Sequence, residues 1–367
     1  MQQEGNPVIG FDAKRIVRNG TGLGSYGRTL VNDLARLPLE LRLYAPDAGR
    51  DDLRQQVAVR DNVLFRYPRT SHFTSYWRTR GIVDDLLRDG VQLFHGLSGE
   101  LPIGIRKSGI RSVVTIHDLI FLRHPEYYHW LDTKIYAWKF RQTIREADHI
   151  IAISECTKRD IIEYGHVAED KITVIYQSCA PRFSGQVPGD RANARYLLSV
   201  GSIEARKNIL LAVKALSYLP ADLSLIIVGK HTAYTDEVTA YAAAHGLSPR
   251  VRVMHGISDD KLPALYAGAE AFVYPSRYEG FGIPIIEAIS SGLPVVACTG
   301  SCLEEAGGPD SLYVAPDDEQ GMAAAIRQVL RGAEGREERI RRSRDYIRRF
   351  QGADVASQMA DLYRSLL

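Results

Sequence analysis

Short, mostly apolar runs alternate with segments of helical periodicity along all 367 residues, and this alternation most constrains the fold. In the first half the apolar runs are Val8–Phe11, Leu41–Tyr44, Val63–Phe65, Leu93–His95, Val113–Ile116, Ile150–Ile153 and Ile172–Ile175. In the second half they are Leu197–Val200, Leu225–Val228, Val251–Val253, Phe272–Tyr274, Val295–Ala297 and Leu312–Val314. Most of these runs are apolar at successive residues rather than at every second one, which suits parallel strands covered on both faces. Between them, Leu30, Leu34 and Leu37 recur at helical spacing, and Lys207–Leu216, Glu237–His245, Leu262–Ala267, Pro284–Ser291 and Gly321–Leu330 read as helices. Strand alternating with helix through both halves predicts an α/β protein of two Rossmann-like, doubly wound domains. The length suits two domains of about 170 residues each. Ala180–Asn193, with two prolines and two glycines, reads as the linker between them. The end of the chain, Glu334–Leu367, reads as helical throughout. In it Val355, Met359, Leu362 and Leu366 make an apolar stripe that packs on its own domain or crosses back to the first.

Composition excludes several classes. A formal net charge of +2 gives no global field for nucleic acid. No stretch of 18 apolar residues predicts a membrane span. The polar start, Met1–Pro7, lacks the basic and apolar parts of a signal peptide, so we expect a cytoplasmic protein. The four cysteines, Cys156, Cys179, Cys298 and Cys302, form no metal-ligand pattern and are expected to be free thiols.

Three stretches carry chemistry. Gly22-Leu23-Gly24-Ser25-Tyr26-Gly27 matches a dinucleotide-binding pattern, with Asp47 placed as a ribose-binding acid would be. Asp12–Asn19 separate it from the first strand, so we read it as a loop whose amides approach a phosphate at a helix start. The alternative is a plain turn. Ser199–Asn208 ends the first strand of the second half and places Arg206 and Lys207 at a helix N-terminus, suiting a diphosphate. In Pro275–Glu287, Glu279 precedes a glycine loop and Glu287 lies in the following helix. Both carboxylates can accept hydrogen bonds from hydroxyls, and the amides of Phe281, Gly282 and Ile283 can reach a ligand.

In these motifs the sequence resembles the retaining family 4 glycosyltransferases (glycosyl transferases group 1), which have the GT-B fold. The resemblance rests on Glu279 and Glu287 within Tyr278-Glu279-Gly280-Phe281-Gly282, on Arg206-Lys207-Asn208, and on Gly22-Leu23-Gly24-Ser25-Tyr26. It also rests on Thr115-Ile116-His117-Asp118, and on Gly256-Ile257 followed by Leu262 and Leu265-Tyr266. Tyr176-Gln177-Ser178-Cys179 departs from the turn many members have after the last strand of the first domain. The resemblance implies residues 1–182 plus about 350–367 as an acceptor-side domain and 190–349 as the nucleotide-sugar domain, the two facing a cleft. It implies Arg206, Lys207, Glu279 and His117 as catalytic residues. His117 would hydrogen-bond the sugar rather than act as a general base. Gly22, Gly24, Gly256, Ile257, Gly280, Phe281, Gly282, Ile283 and Glu287 would bind donor.

The expected reaction moves a hexosyl unit, of mannose type, from a GDP- or UDP-sugar to a glycan or lipid-linked acceptor, with retention. In the front-face mechanism proposed for the family, the leaving phosphate takes the acceptor proton. No Asp-x-Asp occurs, so the cation pair is expected to replace a metal, and no cofactor is called for. Phe65–Arg80 holds Arg66, Arg69, Arg78 and Arg80 interleaved with Phe65, Tyr67, Phe73, Tyr76 and Trp77. It is expected to touch an anionic membrane reversibly, at the inner membrane, unless its aromatics simply pack on the domain. His95–Pro102 touches acceptor or forms a structural turn. Arg331–Arg349, which also holds acids, reads as a solvated helix face rather than a nucleic-acid site. A GT-B nucleotide-sugar epimerase, a nicotinamide-dependent dehydrogenase and a non-catalytic sugar-binding protein remain alternatives, separable by their products.

Overall fold

The computed structural model describes residues 5–69, 72–183, 195–258 and 260–367. Most of the expected linker, residues 184–193, lies outside them. The chain forms two compact units, Met1–Ser178 with Phe350–Leu367, and Cys179–Arg349.

The first unit is built on seven strands: β1 (Val8–Asp12), β2 (Glu40–Tyr44), β3 (Val63–Arg66), β4 (Leu93–Gly96), β5 (Arg111–Ile116), β6 (His149–Ala152) and β7 (Ile172–Val174). They pair in parallel in the order β3-β2-β1-β4-β5-β6-β7. The second unit has six: β8 (Arg195–Val200), β9 (Leu223–Val228), β10 (Val251–Met254), β11 (Ala271–Tyr274), β12 (Val295–Cys298) and β13 (Leu312–Val314). Their order is β10-β9-β8-β11-β12-β13, again parallel. Each apolar run became a strand because helices cover both sheet faces, leaving Ile9, Phe11, Leu41, Leu197 and Leu225 fully buried. Each sheet reverses its winding once, between β1 and β4 and between β8 and β11. In open α/β sheets the crevice beyond the carboxyl ends of such a strand pair is where ligands bind.

The end of the chain differs from one continuous helix. Helix Arg336–Tyr346 gives way to a 3-10 turn, Ile347–Phe350, and Gln351 is extended before helix Gly352–Leu366. The break lies where the chain returns to the first unit. There Val355, Met359 and Tyr363 are buried, and the helix packs on helix Gly22–Leu34. The arginine-rich run is only partly solvated. Arg341 and Arg342 pair with Glu338, whereas Arg336 is buried and donates to the carbonyls of Val329 and Glu270. Among the described residues no helix is long and apolar enough to cross a membrane.

Candidate functional site

A dense polar cluster of the second unit lies at its switch point. After β8 the chain turns at Gly201 and enters a 3-10 turn, Ala205–Lys207, before helix Ile209–Ala215. Arg206 and Lys207 therefore precede the helix rather than begin it. Asn208 joins the two in the left-handed conformation, φ 55°. An asparagine tolerates that conformation, and its amide is fixed by the carbonyls of Pro275 (3.2 Å) and Pro316 (2.7 Å). After neighbouring β11 comes Pro275–Glu279. Parallel pairing of β8 with β11 thus brings residues about seventy positions apart into contact.

Glu279 is the centre of the cluster. Arg206 approaches its carboxylate at 3.0 Å, and Lys207, Ser276 and the Tyr274 hydroxyl also donate to it. Lys207 reaches the Tyr274 hydroxyl at 2.9 Å, and Arg206 donates to the Tyr278 carbonyl at 2.6 Å and to Glu204 at 2.8 Å. Burial alone would push the carboxyl of Glu279 up, but Lys207 and Arg206 outweigh it and hold it down at about 2. Burial likewise pushes Lys207 and Arg206 down, and Glu279 reverses the sign, so both stay cationic. Two cations held at a loop beyond parallel strands can receive a diphosphate, Glu279 standing as their counter-ion. Cys302 donates to the carbonyls of Glu279 (3.0 Å) and Phe281 (2.7 Å) and pins the glycine loop from behind. Sequence reading gave no role at this cluster to Tyr274, Ser276 or Cys302, and quoted Asn208 only as part of the basic motif.

The other expected donor residues of this unit lie nearby in the chain. Gly280 and Phe281 are buried. Gly282, φ 147°, allows the turn into helix Ile283–Ser290, and Ile283 is its first residue. Glu287 lies within that helix and accepts from the fully buried Tyr266 at 3.0 Å. Gly256, φ 64°, turns the chain after β10, with open space at its Cα, and Ile257 follows half-buried.

In the first unit, Gly22 and Gly24 lie in the first turn of helix Gly22–Leu34. Helix Lys14–Arg18 stands between β1 and this turn, unlike a dinucleotide fingerprint. A Cβ at Gly24 would collide with the Asn19 carbonyl, which buried Arg28 also holds at 2.9 Å. Asp47 binds Arg18 and the Gly49 amide.

His117 follows β5. Its Nε2 is 2.8 Å from the Leu97 carbonyl, and its Nδ1 is 2.8 Å from the amide nitrogen of Gln177. A carbonyl only accepts, so Nε2 carries the proton and Nδ1 accepts. Burial lowers His117 to about 4, so the ring is neutral. Binding a sugar hydroxyl would require it to release one of these partners. Tyr26 stands edge-on to the ring at 4.8 Å. His95 is fully buried, lies 2.6 Å from the Tyr363 hydroxyl and 2.8 Å from that of Thr115, and is structural.

Two of the four arginines of the expected membrane segment are engaged within the unit. Arg78 is turned inward onto Asp12 and Glu100, and Arg66 pairs with Asp89 at 3.2 Å. Arg69 and Arg80 remain without an ion pair among the described residues, and Phe73 and Tyr76 are exposed. Residues 70 and 71 lie outside the described residues.

Known proteins agree with this architecture. The family model described as Glycosyl transferases group 1 matches residues 184–346, and the one described as Glycosyltransferase Family 4 matches residues 20–178. O-antigen chain mannosyltransferase B of Escherichia coli is 28% identical over 94% of this chain and 96% of its own. O-antigen chain mannosyltransferase RfbU of Salmonella typhimurium is 30% identical over 65% of each chain. Among solved structures, a glycosyltransferase from Rickettsia africae superposes with a TM-score of 0.77 at 16% identity, covering 99% of both chains. HepE of Anabaena, solved with UDP and glucose, gives 0.76 at 18% identity over 98% of this chain and all of the other.

Proposed function

Since this chain belongs to the glycosyltransferases of the group 1 and family 4 type, with the GT-B fold, we propose that it moves a mannose-type hexosyl unit from a nucleoside diphosphate sugar onto a growing glycan in polysaccharide biosynthesis. The Arg206–Lys207–Glu279 cluster carries this reading, together with the mannosyltransferase names of the relatives. The diphosphate displaces Glu279 from part of its contact with the two cations. As the anomeric carbon–oxygen bond breaks, its electron pair goes to the leaving phosphate oxygen, where Arg206 and Lys207 stabilise the growing charge. The acceptor oxygen forms the new bond on the same face and passes its proton to that phosphate, so configuration is retained. Glu279 and Glu287 are proposed to engage sugar and ribose hydroxyls. The base is guanine or uracil.

The cation pair takes the part of a metal in this scheme. Nucleoside diphosphates should therefore raise the melting temperature equally with and without EDTA, because a ligand of the native state stabilises it by mass action. Stabilisation that vanishes on chelation and returns with magnesium or manganese would refute the metal-free diphosphate site.

A further inference from the structure

The first unit has a second polar cluster, at its own switch point. Asp12 ends β1, and Glu100 follows neighbouring β4. Arg78 bridges them, 2.8 Å from Asp12 and in contact with Glu100, and Lys139 binds Glu100 at 2.8 Å. This chain of four charges lines a cavity of about 150 Å³ together with Trp138 and Gln142 of helix Trp130–Glu146. A second cavity of about 200 Å³ shares Glu100 and Lys139 and reaches His117.

We propose that the cavity at the β1–β4 switch point is a binding subsite for one uncharged sugar residue of the acceptor glycan. The inference rests on the glycosyltransferase reading and adds where, and by what chemistry, the acceptor is recognised. Four observations carry it. About 10–15 Å³ of such space holds one water, so the cavity accommodates on the order of ten water-sized groups, the size of one hexose. Both cations are matched by carboxylates, so the lining favours a neutral polyol over a phosphate, while those carboxylates keep lone pairs for sugar hydroxyls. Trp138 is 51% exposed and offers its ring to the C–H face of a pyranose. The Gln142 amide makes no hydrogen bond among the described residues and supplies one donor and one acceptor group to the cavity.

The test is saccharide binding by the full-length protein without donor, read by saturation-transfer NMR and tryptophan fluorescence. The probes are α-linked mannotriose, maltotriose and chitotriose, with inorganic phosphate as competitor. At least one trisaccharide should bind saturably, and Trp138→Ala and Gln142→Ala should each weaken it by about tenfold or more. Both positions are partly exposed, so both variants should fold, and stabilisation by nucleoside diphosphate, which belongs to the second unit, should persist in them. No binding of any trisaccharide, wild-type affinity retained in both variants, or displacement by phosphate would overturn the subsite. Saccharide binding without any nucleotide stabilisation would instead refute the glycosyltransferase reading, so the two failures are distinguishable.

Discussion

Lys207→Ala and Arg206→Ala are each expected to lower the rate of sugar transfer by a factor of about 100 or more, with a smaller effect on substrate KM. The reason is where charge develops. In the ground state the diphosphate is already anionic and both cations are already paired with Glu279. Breaking the anomeric bond adds charge at one phosphate oxygen, and a fixed cation in a site shielded from water stabilises that charge without reorganising. Lys207 is held by Tyr274 and Glu279, and Arg206 by the Tyr278 carbonyl and Glu204, so both are in place beforehand. Steady-state kinetics of the purified variants checks this. Unchanged kcat in both would remove the leaving-group role from this cluster.

Glu279→Ala is expected to cost stability on the order of 3 kcal/mol, because it strips the shared carboxylate from two partly buried cations. Thermal unfolding measures the loss. A nucleoside diphosphate restores a counter-charge, so its stabilising effect should be larger in the variant than in the wild type. The pH dependence has a definite sign. The folded carboxyl is held near 2, below its ordinary 4.5, so the stabilisation is fully present above about 4.5 and is lost as pH falls toward 2. Glu279→Gln should lack this part of the acid slope. A Glu279→Ala protein as stable as the wild type, with no added response to nucleotide, would contradict the counter-ion role.

The central strands were legible because each is a largely apolar run covered on both faces, a signal that needs no knowledge of partners, whereas the edge strands β3 and β10 expose Leu64 and Arg252. Lys207 and Glu279 were each legible as motif residues, but not their mutual ion pair, which depends on β8 lying beside β11. Asn208 was hidden for another reason: its left-handed backbone answers to the carbonyls of Pro275 and Pro316, far along the chain. Arg78 read as a surface cation because its neighbours in sequence are basic and aromatic. The carboxylates that turn it inward, Asp12 and Glu100, belong to two other elements. His95, read as opening a stretch that touches acceptor or turns, lies within β4 and is sealed by Tyr363 of the last helix, 268 positions away. The residues of Glu334–Leu367 taken alone read as helical, and the division near residue 350, beside the break at Gln351, came only from the resemblance.

The most direct test of the central claim is proton NMR of the reaction of the purified protein with GDP-mannose, UDP-glucose or UDP-galactose and α-linked mannotriose in EDTA. Release of the nucleoside diphosphate should accompany a new glycoside whose anomeric configuration matches that of the donor sugar. An inverted glycoside, an epimerised donor, or no nucleoside diphosphate release from any of the three would contradict it.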